Sequence, residues 1–181
     1  MAVYEIDGFV PEIGNGTYIC DSATVIGNVV IGQNTYVGPG ARIRGDYGRI
    51  EIGDGTSVED NCVIHARPGE ITRVGSHTTI GHASILHNCT VEDYAIIGMG
   101  AIVSDWAIVK RWAVVAEGAV VRNGFEVPEE MIAVGVPAKT LNIAISENYK
   151  EDWLHFKGVY ERLAREVYPR TLREVPWEFK Q

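Results

Sequence analysis

Three side chains able to act as ligand, base or anion binder recur at one phase of this sequence. Arg44, His65 and His87 each follow an aliphatic residue, Ile43, Ile64 or Leu86. An imidazole is a general base near neutral pH and a common metal ligand, and a guanidinium pairs with carboxylates and small oxyanions. Imidazoles on neighbouring parallel strands, about 4.8 Å apart, are placed to share a metal whose bonds to nitrogen are about 2.0–2.1 Å. A stacked polar ladder uses the same placement, and from the residues alone ligand pair and ladder remain equal alternatives. His82 falls at a different phase, one rung beyond Asp60, and therefore near another edge. Two ligands on one edge and a third elsewhere imply closure by a neighbouring copy. His77 at a corner and His155 in the C-terminal segment are expected in solvent.

The phase comes from a repeat. Aliphatic residues recur every six positions at Ile19, Val25, Ile31, Val37 and Ile43, resume at Ile52, Val58 and Ile64 and again at Val74, Ile80 and Leu86, then run from Val91 to Val121. Intervals of nine, ten and five residues interrupt it, and these read as two insertions and one deletion at corners. Four positions after each start lies a small or β-branched residue such as Ala23, Thr35, Cys62 or Ala101, on the same strand face. Glycine often follows the start, as at Gly32, Gly38, Gly53, Gly75, Gly81 and Gly98, where a turn disfavouring a Cβ is expected. A helix would need a 3.6-residue period, so the pattern describes a three-sided β-solenoid with one hexapeptide per side.

Composition agrees. The 181 residues include 20 glycines, without collagen triplets, and 3 cysteines, too few and too scattered for a disulfide scaffold. A net charge of −8 lacks the basic stripe of an electrostatic nucleic-acid binder. No targeting segment and no membrane-length apolar run is visible, which points to a cytoplasmic protein with reduced thiols. Beyond the exit segment Gly135-Val136-Pro137-Ala138-Lys139, an amphipathic stripe of Tyr149, Trp153, Phe156, Tyr160, Leu163 and Val167 predicts a helix. Ser146 is its expected N-cap and Pro169 its stop. The division expected is a solenoid over 1–141 and a helix and tail over 142–181.

The repeat resembles that of the hexapeptide-repeat proteins. Within them, Arg44-Gly45-Asp46, Val58-Glu59-Asp60-Asn61-Cys62-Val63-Ile64-His65 and Gly81-His82-Ala83-Ser84-Ile85-Leu86-His87 are similar to the three active-site segments of the γ-class carbonic anhydrase family. The resemblance implies a left-handed parallel β-helix, although the usual preference for right-handed crossovers points the other way. It also implies a homotrimer with zinc, or iron or cobalt, at each subunit interface. His65, His82 and His87 would be the ligands, His82 coming from the adjacent subunit. Arg44 and Asp60 match a pair linking subunits and positioning bicarbonate, and metal-bound hydroxide would hydrate carbon dioxide reversibly.

Two positions depart from that family. Glu59 replaces a common glutamine, and the stretch Ala66 to Arg73 holds only Glu70 in place of an acidic proton-shuttle loop, as in a shorter, loop-less subgroup. Tyr160 is a further catalytic candidate, with packing as its alternative role. The expected activity is a carbonic anhydrase-like lyase. The alternatives are an acyl-CoA acetyltransferase or thioesterase of the same superfamily, needing a histidine base and an intersubunit groove, and a non-catalytic metal-binding homologue.

Overall fold

The repeat closes because its inward residues are small enough to meet at the axis of a narrow coil. Val25, Ile43, Ile64, Leu86, Val103 and Val121 are fully buried, as are Ala101, Ala107, Ala113 and Ala119. In the computed structural model, which describes residues 2–175, these coils form a left-handed parallel β-solenoid of about 7 turns with a C-terminal helix. One side stacks Arg42–Ile52, Val63–His65, Ile85–His87, Ile102–Val103 and Val120–Val121 in parallel. A second stacks Tyr36–Val37, Ser57–Val58, Thr79–Ile80, Ile96–Ile97 and Val114–Val115. The solenoid ends on Lys139–Ala144, which turns back antiparallel along Met131–Val134.

One sequence expectation about the corners changes, and the expectation that the insertions fall at corners holds. The glycines after each start do not occupy left-handed backbone; a Cβ at Gly32 or Gly98 would lie 2.6 Å from a backbone nitrogen of the next coil, Asp54 or Glu117. Close approach between coils is what requires glycine there. The left-handed residue comes two positions later, as Asn34, His77, Ala83 or Gly40. Both insertions fall at one corner, where the long strand Arg42–Ile52 crosses between two sides and pairs through Arg49–Ile52 with Ile71–Val74. Along another corner, threonines satisfy the buried backbone: Thr35 N donates to Thr17 Oγ1 at 3.0 Å and Thr78 N to Thr56 Oγ1 at 3.1 Å.

Helix α1 (Glu147–Arg162) lies along the second side, with Ser146 Oγ accepting from Tyr149 N at 3.2 Å as its N-cap. Pro169 does not stop it. A π-helical turn, Leu163–Val167, leads into Tyr168–Thr171, where the proline occupies the first turn and its missing N–H is harmless. The packed face is also displaced from the apolar stripe, because Phe156 is exposed and Lys157 buried. Lys157 Nζ donates to Ser57 Oγ at 2.8 Å and Thr78 O at 2.5 Å. His77, expected in solvent, instead stacks on Tyr94 and pairs with Glu161 of α1 at 3.1 Å. His155 is exposed as expected. Farther along, Lys150 reaches Glu130 at 2.5 Å, and Tyr160 and Tyr168 pack on Tyr36 and Tyr18. Among the described residues no helix is long and apolar enough to cross a membrane. The tail 176–181 lies outside the described residues.

Candidate functional site

Strand register delivers the first edge as the repeat phase requires. Arg44 pairs with His65 and His65 with His87 across adjacent strands, and the two imidazole centroids lie 5.3 Å apart. Ile43, Ile64 and Leu86 point inward, so the next residue of each strand points out. Thr72 Oγ1 donates to His65 O at 2.6 Å and fixes that strand end, while the Tyr47 ring stands edge-on to His65.

Each imidazole here faces a carboxylate. His65 Nε2 lies 3.0 Å from Asp46 Oδ1, and Asp46 also takes the Arg44 guanidinium. Burial works to raise the Asp46 pKa, but hydrogen bonds from His65 and Arg44 prevail and hold it below the ordinary carboxylate range. His87 Nδ1 lies 2.5 Å from Asp105 Oδ1. Asp105 accepts at Oδ2 from Arg67 Nε at 2.8 Å and Nη2 at 2.5 Å. The Arg67 hydrogen bond is the main cause of its lowered pKa; burial opposes and His87 assists. Arg67 also sits over the exposed Trp106 ring, 5.1 Å from its centroid. An ionised Asp105 requires the hydrogen of neutral His87 on Nδ1, leaving the Nε2 lone pair without a partner among the described residues.

Glu59, Asp60, His82 and Tyr160 gather at a second edge. His82 Nδ1 accepts from Asp60 N at 3.2 Å, so the neutral ring carries its hydrogen on Nε2, 3.2 Å from Glu59 Oε2. Glu59 is buried, and the Tyr160 hydroxyl is close enough to feel its charge. Burial first, then the Glu59 charge, raises the Tyr160 pKa. Asp60 Oδ2 stands 3.8 Å from His82. Within one chain Arg44 therefore pairs with Asp46 rather than Asp60. The structure brings together Arg44, His65 and His87, and separately Glu59, Asp60, His82 and Tyr160.

Asp105 and Arg67 escaped the sequence reading. Asp105 follows His87 by 18 residues, but Leu86 pairs with Val103 across a coil of 17, so it stands one position beyond the His87 rung and repeat phase does not mark it. Cys20, Cys62 and Cys89 are buried free thiols, and burial raises Cys62 and pushes Cys89 up to about 12, so neither of these two is an activated nucleophile. Among the described residues of one chain, no group of three His, Cys, Asp or Glu side chains is placed to hold a metal ion.

Known proteins resemble this chain in sequence and fold. Residues 11–45 match the profile of the bacterial transferase hexapeptide, six repeats. The chain is 33% identical over 157 residues to carnitine operon protein CaiE of Escherichia coli K12, covering 87% of this chain and 78% of that protein. A hexapeptide transferase family protein from Anaplasma phagocytophilum has a solved structure with TM-score 0.86 and 34% identity, covering 91% of this chain and 96% of the other. A provisionally named acetyltransferase from Bacillus cereus gives TM-score 0.87 at 29% identity, covering 91% and 95%.

These relatives overturn the carbonic anhydrase-like lyase expected from the three motifs, since their names point to group transfer. The motifs are equally a product of stacked rungs, which place polar residues at equal phase whatever reaction they serve. The coils, the register and the relatives together place this chain in the hexapeptide-repeat transferase family, with CaiE among its homologues.

Proposed function

We propose that the chain is an acyl-CoA-dependent acyltransferase-type protein in which His87 is the general base. The observation that carries this reading is the relay Arg67, Asp105, His87, in which a buried carboxylate orients an imidazole and leaves its Nε2 lone pair uncommitted. The transferase names of the relatives support the reaction class. Nε2 takes the proton of an acceptor amine or hydroxyl as that atom attacks the thioester carbonyl carbon. A C–N or C–O bond forms, the C–S bond breaks, and the imidazolium returns the proton to the departing sulfur. Asp105 stabilises the imidazolium in between, and Arg67 keeps Asp105 ionised.

Hexapeptide-repeat proteins commonly form trimers. In an edge-to-edge trimer the edge of Glu59, His82 and Tyr160 on one copy would close over His65 and His87 of the next, excluding water from the thioester. A metal is the alternative use of the same rings, favoured by their place on adjacent rungs, and it excludes general-base catalysis by His87, because an Nε2 lone pair bound to a cation takes no proton. His65 and His87, with His82 of an adjacent subunit, would hold zinc, iron or cobalt, and that cation would polarise an acyl carbonyl. Metal content of the purified assembly, compared with that of His65→Ala, checks this alternative by itself.

The transfer reading is tested by incubating the purified chain with acetyl-CoA and a panel of amines and sugar hydroxyls while recording free thiol. Acceptor-dependent thiol release is expected. Release that ignores the acceptor would identify a thioesterase instead, and no release with any acceptor would overturn the reading.

A further inference from the structure

A cleft of about 220 Å³ runs between the second side of the solenoid and α1, and it opens on the second edge. Its floor is Ile96 and Val114, paired in register on successive coils above Thr79. The Trp153 indole, anchored by its Nε1 hydrogen bond to Thr79 Oγ1 at 3.3 Å, forms the wall, and Met99 forms the outer rim. Glu59 and His82 stand at one end, and Glu117 and Tyr149 at the other. From the coil of Glu59 to that of Glu117 is three strand spacings, about 14 Å.

We propose that this cleft receives the aliphatic chain of a medium-length acyl thioester, with the thioester carbonyl at the His82 end and the nucleotide outside. The inference rests on the acyl-CoA reading above and assigns its acyl specificity.

Shape and charge both favour this occupant. A trough closed on one flank by a helix is too narrow for another helix, about 10–12 Å across, but accommodates a single alkyl chain. Its sides are aliphatic and aromatic, and no lysine or arginine lines it among the described residues. Both ends carry a carboxylate, so a free fatty acid or a phosphate would bring a second anion to an acidic, apolar site. An acyl chain carried as a thioester is neutral along the whole buried length. Acetyl-CoA alone would leave most of the trough unfilled and forgo the burial energy of its walls.

The test uses the intact assembly and two measurements. In thiol release, octanoyl-CoA should be preferred to acetyl-CoA in kcat/KM. Met99→Trp, which fills the rim, should lower that ratio at least about tenfold, a loss equivalent to the burial of only two methylenes. Val114→Phe raises the floor and should act in the same direction, guarding against a defect peculiar to one variant. In calorimetry, the uncleavable thioether S-octyl-CoA should bind more tightly than CoA, and Met99→Trp should erase the difference. Equal binding of S-octyl-CoA and CoA by the unmodified chain overturns the cleft assignment even if acetyl-CoA is consumed. Tighter binding of S-octyl-CoA without consumption of any thioester upholds the cleft and sinks the transfer reading. A shift in sedimentation of Met99→Trp, with the ratio unmoved, makes the cleft an interface between copies and overturns the proposal.

Discussion

The two edges of the prism hold histidines by different means. At the first, His65 and His87 are fixed by strand register and by Asp46 and Asp105, all on the solenoid. At the second, Glu59 and His82 stand beside α1, whose Tyr160 lies near the Glu59 charge and whose Lys157 reaches back 100 residues to Ser57. The first edge is thus complete on the coils alone, whereas the second, whose His82 is held by Asp60 and Glu59 on the coils, gains Tyr160 only while the helix is docked. A helix held by a few polar anchors can therefore set access to one half of a site without disturbing the other.

The largest effect should come from the first edge. His87→Ala is expected to reduce acceptor-dependent thiol release at least about a hundredfold, the usual contribution of a positioned general base, with the far-UV spectrum unchanged. Asp105→Asn keeps the ring and removes its orienting charge, so its loss should be smaller. If His87→Ala retains full activity, the reacting group lies elsewhere.

Breaking the second edge calls for Lys157→Ala, which leaves Ser57 Oγ without its buried partner, while Thr78 O keeps the Ser57 N–H at 3.0 Å, and should cost about 1–3 kcal/mol. Hydrogen exchange should accelerate through α1 while the amides of Val63–His65 and Ile85–His87 keep their protection. Equal acceleration at both sets would erase the distinction between the edges.

Acidity sharpens the same contrast. Burial depresses Lys157 from 10.5 to about 7, with Glu59 and Glu161 opposing the shift. Between those values the unfolded chain holds a proton that the folded chain releases, so unfolding becomes less favourable as pH rises from about 7 towards 10. Denaturant unfolding at the two ends of that window should show greater stability at the alkaline end, and Lys157→Met should flatten this component. A parallel slope in the variant would assign it to another group.

The smallest effect is expected at the half-exposed ion pair of His77 and Glu161. His77→Ala should weaken docking of α1 by about 0.2–1 kcal/mol, the usual worth of such a pair, and added salt should shrink the difference. An unchanged melting curve at low salt would leave the aromatic stack on Tyr94 as spectator packing.

Much of this was legible from the chain. Side chains at the coil axis accept few sizes, so the six-residue spacing of Ile19, Val25, Ile31, Val37 and Ile43 exposed the solenoid, and rung phase alone aligned Arg44, His65 and His87. Contacts that cross from helix to coil were not legible. Hydropathy put Phe156 on the packed face and gave no sign of Lys157, which the carbonyl of Thr78 and the hydroxyl of Ser57 draw inward instead. His77 found its partner 84 residues away. Chemistry was the hardest to read, because one alignment of imidazoles on a stacked sheet serves hydration, acyl transfer or a ladder equally well.

A stack in which each coil touches only its neighbours unravels from its ends, one layer at a time. Here the C-terminal segment touches Glu130 near one end, Ser57 and Thr78 in the middle and Tyr18 near the other. It acts as a splint across the fracture planes, so terminal coils cannot fray independently while it is in place, and a modular array is made to melt as a unit.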